Sequence, residues 1–248
     1  MDQDLNGRVV VITGAAGGIG TAMAEAFASV GARLALVDIV DPGELAARLG
    51  PDHAAWSCDL ANPAEIARVV AEIGDRMGID VLINNAGLGI VFPAEVTQIE
   101  DWDRTQAINL RAPWLMAAAA LPYLKASGRG RVVNIASQAG IIAIAEHAAY
   151  GASKAGLIGL TKVLALEWAR FGITVNAISP TVVETPMALV GWSGEKGERA
   201  RAAIPASMGR DCDPTCDPSA ARCAALPVVG SPATSCGEGR GVGSGPRA

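Results

Sequence analysis

Short, almost wholly apolar runs alternate along this chain with longer stretches of helical periodicity. The first run is Arg8–Thr13 (RVVVIT), followed at once by glycines, and residues near 18–30 then carry a helical pattern. A second run, Arg33–Asp38 (RLALVD), precedes a short predicted helix over Pro42–Leu49, with Pro near its start, where the missing N–H costs little. Ala54–Cys58 reads as a weaker strand. Asn62 is placed to cap the next helix, with Pro63 at its first position and Glu65 three residues on. Asp80–Asn84 (DVLIN) predicts a fourth strand. A long helical stretch runs from about Gln98 to Lys125, interrupted near Pro113. Arg131–Ser137 predicts a fifth strand, Tyr150–Phe171 a helix, and Ile173–Ile178 (ITVNAI) a sixth strand.

Strands apolar on both faces must be covered on both faces, and a helix between successive strands implies parallel pairing. The pattern therefore predicts a single α/β domain: a doubly wound parallel sheet in a three-layer αβα stack. Ligands of such sheets bind outside the carboxyl ends of the strands, so strand-end residues matter most. No internal repeat of solenoid length is present.

The pattern stops near Pro205. From Ala206 to Ala248 there is no aromatic residue, and Gly, Pro and Cys become dense. Only Leu226–Val229 resembles a strand, and Pro227 weakens it. The chain thus divides into a domain over 1–205 and an irregular segment over 206–248, expected to lack regular structure.

Composition narrows the function. The chain has 248 residues, half of them hydrophobic but only 4% aromatic, which suits one large core of Ala, Val, Ile and Leu. Net charge is −5 and no basic cluster appears, so neither nucleic acid nor an anionic membrane is an expected partner. The start is acidic and short, unlike a signal peptide. The longest apolar run, Ala112 to Leu124, is too short to span a bilayer and contains Pro113 and Pro122. Cys58 is alone in the first 211 residues, which fits a reducing compartment. A soluble cytoplasmic protein is expected. Cys212, Cys216 and Cys223 have loose spacing and no histidine after them, so no metal site is expected.

The first strand leads through Thr13-Gly14-Ala15-Ala16-Gly17-Gly18-Ile19-Gly20 into the first helix. Gly14 permits the tight turn, Gly18 lets phosphates approach the backbone, and Gly20 permits close helix packing. Free N–H groups at the helix start, around Gly17, Gly18 and Ile19, can hold a pyrophosphate. A glycine cluster alone can be an ordinary turn; between strand and helix it reads as a dinucleotide loop of Rossmann type. Asp38 ends the second strand, where a carboxylate accepts from both ribose hydroxyls and repels a 2′-phosphate. No Arg or Lys follows nearby, so NAD is the expected cofactor. Asp59 and Leu60, after the third strand, are placed to meet the adenine. Asn84-Asn85-Ala86-Gly87 follows the fourth, and Asn85, Ala86 and Gly87 suggest backbone geometry close to the cofactor.

Tyr150 and Lys154 lie four apart at the start of a predicted helix, on one face. An ordinary phenol titrates near 10, too high for an efficient base at neutral pH. A neighbouring ammonium stabilises phenolate, so Lys154 is expected to lower the Tyr150 pKa while its remaining protons hold the ribose. Ser137, 13 residues before Tyr150 and at a strand end, can bind a substrate oxygen. Asn109, within the long helix, can anchor water in a proton relay to Lys154. An isolated Tyr/Lys pair is usually an exposed helix pair; the strand-end serine and the upstream glycine loop reverse that reading.

With these motifs assembled, the chain resembles the short-chain dehydrogenase/reductase family. The matching elements are TGAAGGIG (13–20), Asp38, Asp59, NNAG (84–87), Asn109, Ser137, YGASK (150–154) and NAISPTVVETPM (176–187), and the likeness spans about residues 5–205. The resemblance implies a catalytic Ser137–Tyr150–Lys154 triad with Asn109 as fourth member. It also implies that Val183 and Thr185 hold the nicotinamide carboxamide. Thr181 stands where most members carry Gly, as in some sugar-alcohol members. The stretch Val190-Gly-Trp-Ser-Gly-Glu-Lys-Gly-Glu198 is similar to that branch, acting on D-threitol, D-arabitol or related polyols. Trp192, Glu146 and His147 are candidate pocket residues for a polyol or ketose, with His147 also readable as a plain loop residue. Two alternatives stay open: a 3-oxoacyl-thioester reductase, and a binding protein that kept the fold without turnover. The family resemblance further implies a homo-oligomer, a dimer or tetramer, and a closing strand that residues 206–248 do not supply. A reading-frame shift near 206–210 accounts for that loss of pattern, and it would weaken the oligomer.

Overall fold

The computed structural model describes residues 5–181 and residue 183. Thr185, Trp192 and the segment 206–248 lie outside the described residues. Strand β1 (Val9–Thr13) is followed by α1 (Gly18–Ser29), β2 (Arg33–Asp38), α2 (Gly43–Leu49) and β3 (Ala54–Ser57). Next come α3 (Pro63–Met77), β4 (Val81–Asn84), α4 (Ile99–Gln106) and α5 (Ala112–Ala126). The described order ends with β5 (Arg131–Ile135), α6 (Ala148–Trp168) and β6 (Thr174–Ile178).

Among the described residues the strands form one sheet in the order β3-β2-β1-β4-β5-β6, and every neighbouring pair is parallel. Alternate residues of each strand feed two cores. Val11, Val37, Leu82 and Val132 pack with α3, α5 and α6 on one face. Val10, Ile12, Leu36 and Ile83 pack with α1 and α2 on the other. This is the doubly wound three-layer arrangement expected from the apolar runs. The chain reverses its direction of travel across the sheet at β1 and β4, which opens a crevice at their carboxyl ends.

Two local features differ from the sequence pattern. The interruption expected at Pro113 is not a break. Residues Ala107–Arg111 form a π turn between α4 and α5, and the Ala112 N–H bonds to the Ala107 carbonyl five residues back. In a regular α-helix the Pro113 ring would collide with the Asn109 carbonyl, and the wider turn relieves that clash. Second, the capping of α3 is less symmetrical than a capping box. Asn62 Oδ1 accepts from Ala64 N at 3.0 Å as expected. Glu65 instead reaches back to Asp59 N, at 2.9 Å, and so braces the loop after β3.

Candidate active site

The glycine loop is shaped by two contacts. Gly14 has φ +67°, and a Cβ there would lie 2.8 Å from Ala86 Cα, so the turn and the close approach of β4 both require glycine. Gly20 packs so tightly on the Gly14 carbonyl that a side chain would collide with it. Ala16, Gly17 and Gly18 are exposed, and Ile19 is half-buried. No side chain caps the start of α1 and no acidic residue sits in its first turn. The Gly17 N–H bonds to the Gly14 carbonyl at 3.2 Å, which leaves the amides of Gly18 and Ile19 to suit a pyrophosphate. Asp38, at the end of β2, accepts from Ala16 N at 2.9 Å and from Val40 N at 3.2 Å. One carboxylate thus clamps the glycine loop to the end of β2. The residues present fit a dinucleotide.

Asp59 and Leu60 follow β3. Asp59 Oδ1 accepts from Ala61 N at 2.8 Å, and Leu60 is buried. Asn85 acts mainly on the protein itself. Its Nδ2 donates to the Thr13 and Gly14 carbonyls at 3.0 and 3.1 Å. The Thr13 hydroxyl in turn accepts from Asn85 N and Ala86 N at 3.0 and 3.1 Å. This lacing joins the ends of β1 and β4 beneath the crevice. Thr13 was not singled out from sequence, although its position at the last residue of the first strand is the available signal.

Tyr150 lies in the first turn of α6, which begins two residues earlier than the sequence pattern indicated. Strand β5 ends at Ile135, and Ser137 caps a short 3-10 turn over Gln138–Gly140, accepting from Ala139 N at 3.2 Å. Ser137 also hydrogen-bonds Tyr150. Gly140 allows this meeting, since a Cβ there would lie 2.7 Å from the backbone carbon of Lys154. Lys154 is one helical turn beyond Tyr150 and only 3% exposed. Its Nζ donates to the Ile135 carbonyl at 2.7 Å and lies 5.7 Å from the Tyr150 ring centroid.

Burial depresses the Lys154 ammonium from 10.5 to about 8. Burial also pushes the Tyr150 phenol above its ordinary value, and the Ser137 hydrogen bond opposes that. The direction expected from sequence was downward, through Lys154. In this structure desolvation of the phenol is the largest influence, and the Lys154 ammonium donates to the Ile135 carbonyl.

Asn109 sits in the π turn and is fully buried. Its Oδ1 accepts from Leu88 N at 2.8 Å, and its Nδ2 donates to the Leu88 carbonyl at 2.9 Å and to Ser153 Oγ at 3.1 Å. The side chain is therefore engaged by protein. Its backbone carbonyl cannot receive the usual helical bond, because Pro113, four residues on, has no N–H. Gly87 keeps a gap here: a Cβ would lie 3.3 Å from Asn109 Oδ1 and 3.4 Å from Lys154 Nζ.

A cavity of about 300 Å³ adjoins Tyr150, lined by small residues such as Ala94, Ala139 and Gly151 together with Glu146 and His147. His147 Nδ1 lies 2.6 Å from the Ala145 carbonyl, and the ring meets the Tyr150 ring edge-on at 5.8 Å. Glu146 has φ +67°, the one described non-glycine residue with positive φ, and it sets the direction of entry into α6. Val183 is half-buried beyond β6. Thus Asn109, Ser137, Tyr150, Lys154, Gly87 and His147 converge at the carboxyl edge of β4 and β5, and the glycine loop with Asp38 forms the adjacent half of the crevice.

A parallel sheet in this order, a glycine loop at its switch point and a Ser–Tyr–Lys set beside it define a Rossmann-type oxidoreductase. The chain belongs to the short-chain dehydrogenase family, whose model matches residues 8–194. It is 44% identical over 210 residues to a D-threitol dehydrogenase of Mycolicibacterium smegmatis, covering 82% of this chain and 81% of that protein. It is equally 44% identical over 210 residues to an NAD-dependent glycerol dehydrogenase of Listeria innocua, covering 83% of each. Among solved structures, one provisionally named as an NAD(P)-dependent gluconate 5-dehydrogenase from Beutenbergia cavernae, with NADP bound at low occupancy, is similar. Its TM-score is 0.79 at 36% identity, over 84% of each chain. Among the described residues no helix is long and apolar enough to cross a membrane.

Proposed function

We propose that this enzyme is an NAD-dependent dehydrogenase that interconverts a secondary alcohol and a ketone on a sugar alcohol of the D-threitol or D-arabitol kind. The carrying observation is the meeting of Ser137 and Tyr150, with buried Lys154 one helical turn beyond and its Nζ 5.7 Å from the Tyr150 ring centroid, at the carboxyl edge of the sheet. NAD, when bound, supplies the hydride acceptor. Gly18 and Ile19 would hold its pyrophosphate, Asp38 its adenosine ribose, Asp59 and Leu60 its adenine, and Val183 with Thr185 its carboxamide. In alcohol oxidation Ser137 holds the substrate oxygen, and Tyr150 Oη takes the hydroxyl proton as the carbon gives up its hydride. Lys154 would hold the nicotinamide ribose and, with water anchored at Asn109, would pass the proton outward. His147, which lines the cavity, and Trp192, singled out from the sequence, are the proposed substrate residues.

NAD is favoured by the Asp38 carboxylate, whose charge repels a 2′-phosphate. The polyol reading is supported by the two 44%-identical relatives named for threitol and glycerol. This reading also makes the enzyme cytoplasmic and a homo-oligomer, the latter supported by the exposed Trp114, Val163 and Leu166 on α5 and α6. The division of the sequence into a domain over 1–205 and a separate segment over 206–248 is supported by a family match that ends at residue 194.

The test is NADH formation by purified protein over a panel of polyols, with NAD and NADP compared. Turnover of a four- or five-carbon polyol with NAD is expected. Reduction of acetoacetyl thioesters without polyol turnover overturns the substrate reading, and preference for NADP overturns the cofactor.

A further inference from the structure

Ser153 has no part in the chemistry above, yet it lies in the YGASK run and is completely buried. Its hydroxyl does two things. It donates to the Tyr150 carbonyl at 2.7 Å, within the first turn of α6. It accepts from Asn109 Nδ2 at 3.1 Å, across to the π turn. The same Asn109 amide grips Leu88 through both backbone groups, at 2.8 and 2.9 Å. Leu88 follows Gly87, which faces Lys154 Nζ and Asn109 Oδ1 across a single gap. A continuous polar line thus runs from the loop after β4, through Asn109, to the turn that carries Tyr150.

We infer that Ser153 is a positioning residue whose hydroxyl couples the Asn109 amide, and through it the Leu88 loop, to the catalytic turn of α6. A serine hydroxyl in a helix can bond the carbonyl three or four residues back and still accept from outside. Alanine removes the acceptor and leaves a buried Asn109 N–H without a partner, so the amide must turn and loosen its hold on Leu88. The fold itself survives, since Gln106 Nε2 still donates to the Ala149 carbonyl at 3.0 Å and ties α4 to the start of α6.

The kinetic part of this inference rests on the alcohol–ketone reading, so one measurement is chosen to be independent of turnover. Ser153→Ala is expected to lower kcat about tenfold, as misplacement of reacting groups does, with the KM for NAD nearly unchanged. In an Asn109→Ala background the same change is expected to cost nothing more, because Ser153 acts through that amide. Amide hydrogen exchange at Leu88 should accelerate in Ser153→Ala. Unchanged Leu88 exchange, or losses that multiply in the double variant, overturns the inference. If wild-type protein turns over no alcohol, the proposed function has failed, and Leu88 exchange alone decides the role of Ser153.

Discussion

Lys154→Met should make this protein more stable at neutral pH while destroying its activity. The Lys154 ammonium is 3% exposed and has one hydrogen-bond acceptor, the Ile135 carbonyl, in the structure. Burial lowers its pKa from 10.5 to about 8. A base whose pKa is lower in the folded state binds fewer protons there than in the unfolded chain over the interval between the two values. Stability therefore rises with pH from about 8 to 10.5 and is at its lowest level below that window. At pH 7 the penalty of the fall from 10.5 to about 8 is about 3 kcal/mol. At pH 10 the same linkage leaves about 1 kcal/mol. Methionine fills much of the same volume and carries no charge, but forfeits the Ile135 hydrogen bond, worth about 1 kcal/mol. The variant should thus exceed wild type by about 2 kcal/mol at pH 7, and the advantage should vanish by pH 10. Urea unfolding of cofactor-free protein at both pH values measures this, and other titrating groups cancel in the difference. A variant less stable than wild type at pH 7, or a difference that does not change between pH 7 and 10, refutes the argument.

Other consequences follow from the same geometry. Tyr150→Phe should lower turnover by about 10²–10⁴-fold, and wild-type alcohol oxidation should climb with pH, because burial holds the phenol above its ordinary value; a variant within tenfold of wild type would remove Tyr150 from the chemistry. Asp38→Asn keeps an acceptor for Ala16 N–H but removes the charge, so kcat/KM with NAD should fall about 10- to 100-fold while NADP suffers less; equal loss with both cofactors contradicts the ribose role. Gly140→Ala drives a methyl group into the α6 backbone and should lift Ser137 away from Tyr150. The pH–rate profile should then move upward, because that hydrogen bond holds the phenol down. Gly156→Ala, which meets only the Leu110 side chain, should leave the profile in place, and equal shifts in both variants would defeat the explanation.

Much of the site was legible because each residue type announced its chemistry locally. Gly14 had to be glycine for the turn, Asp38 had to end its strand, and Tyr150 and Lys154 had to share a helix face. The paths by which these groups support one another were less visible. Asn109 showed only as a buried amide in a helix, while its grip on Leu88 and Ser153 joins residues 21 and 44 positions away. Gly140 and Thr13 gave no chemical signal, since one acts by absent bulk and the other by a hydroxyl whose partners lie across the sheet.

Period and punctuation therefore determined the element order, the parallel α/β class and the candidate side chains of the site, because apolar spacing, caps and turn residues act over a few positions. Tertiary structure decided what depends on contacts distant in sequence. It converted the break foreseen at Pro113 into a π turn, because packing of α4 and the turn against α6, and of α5 against α3, keeps the helix running through. It also settled the protonation tendencies. Lys154 was expected to lower the phenol, but burial in the folded chain lowers Lys154 itself and raises Tyr150. Desolvation belongs to the packed interior and has no counterpart in the linear pattern.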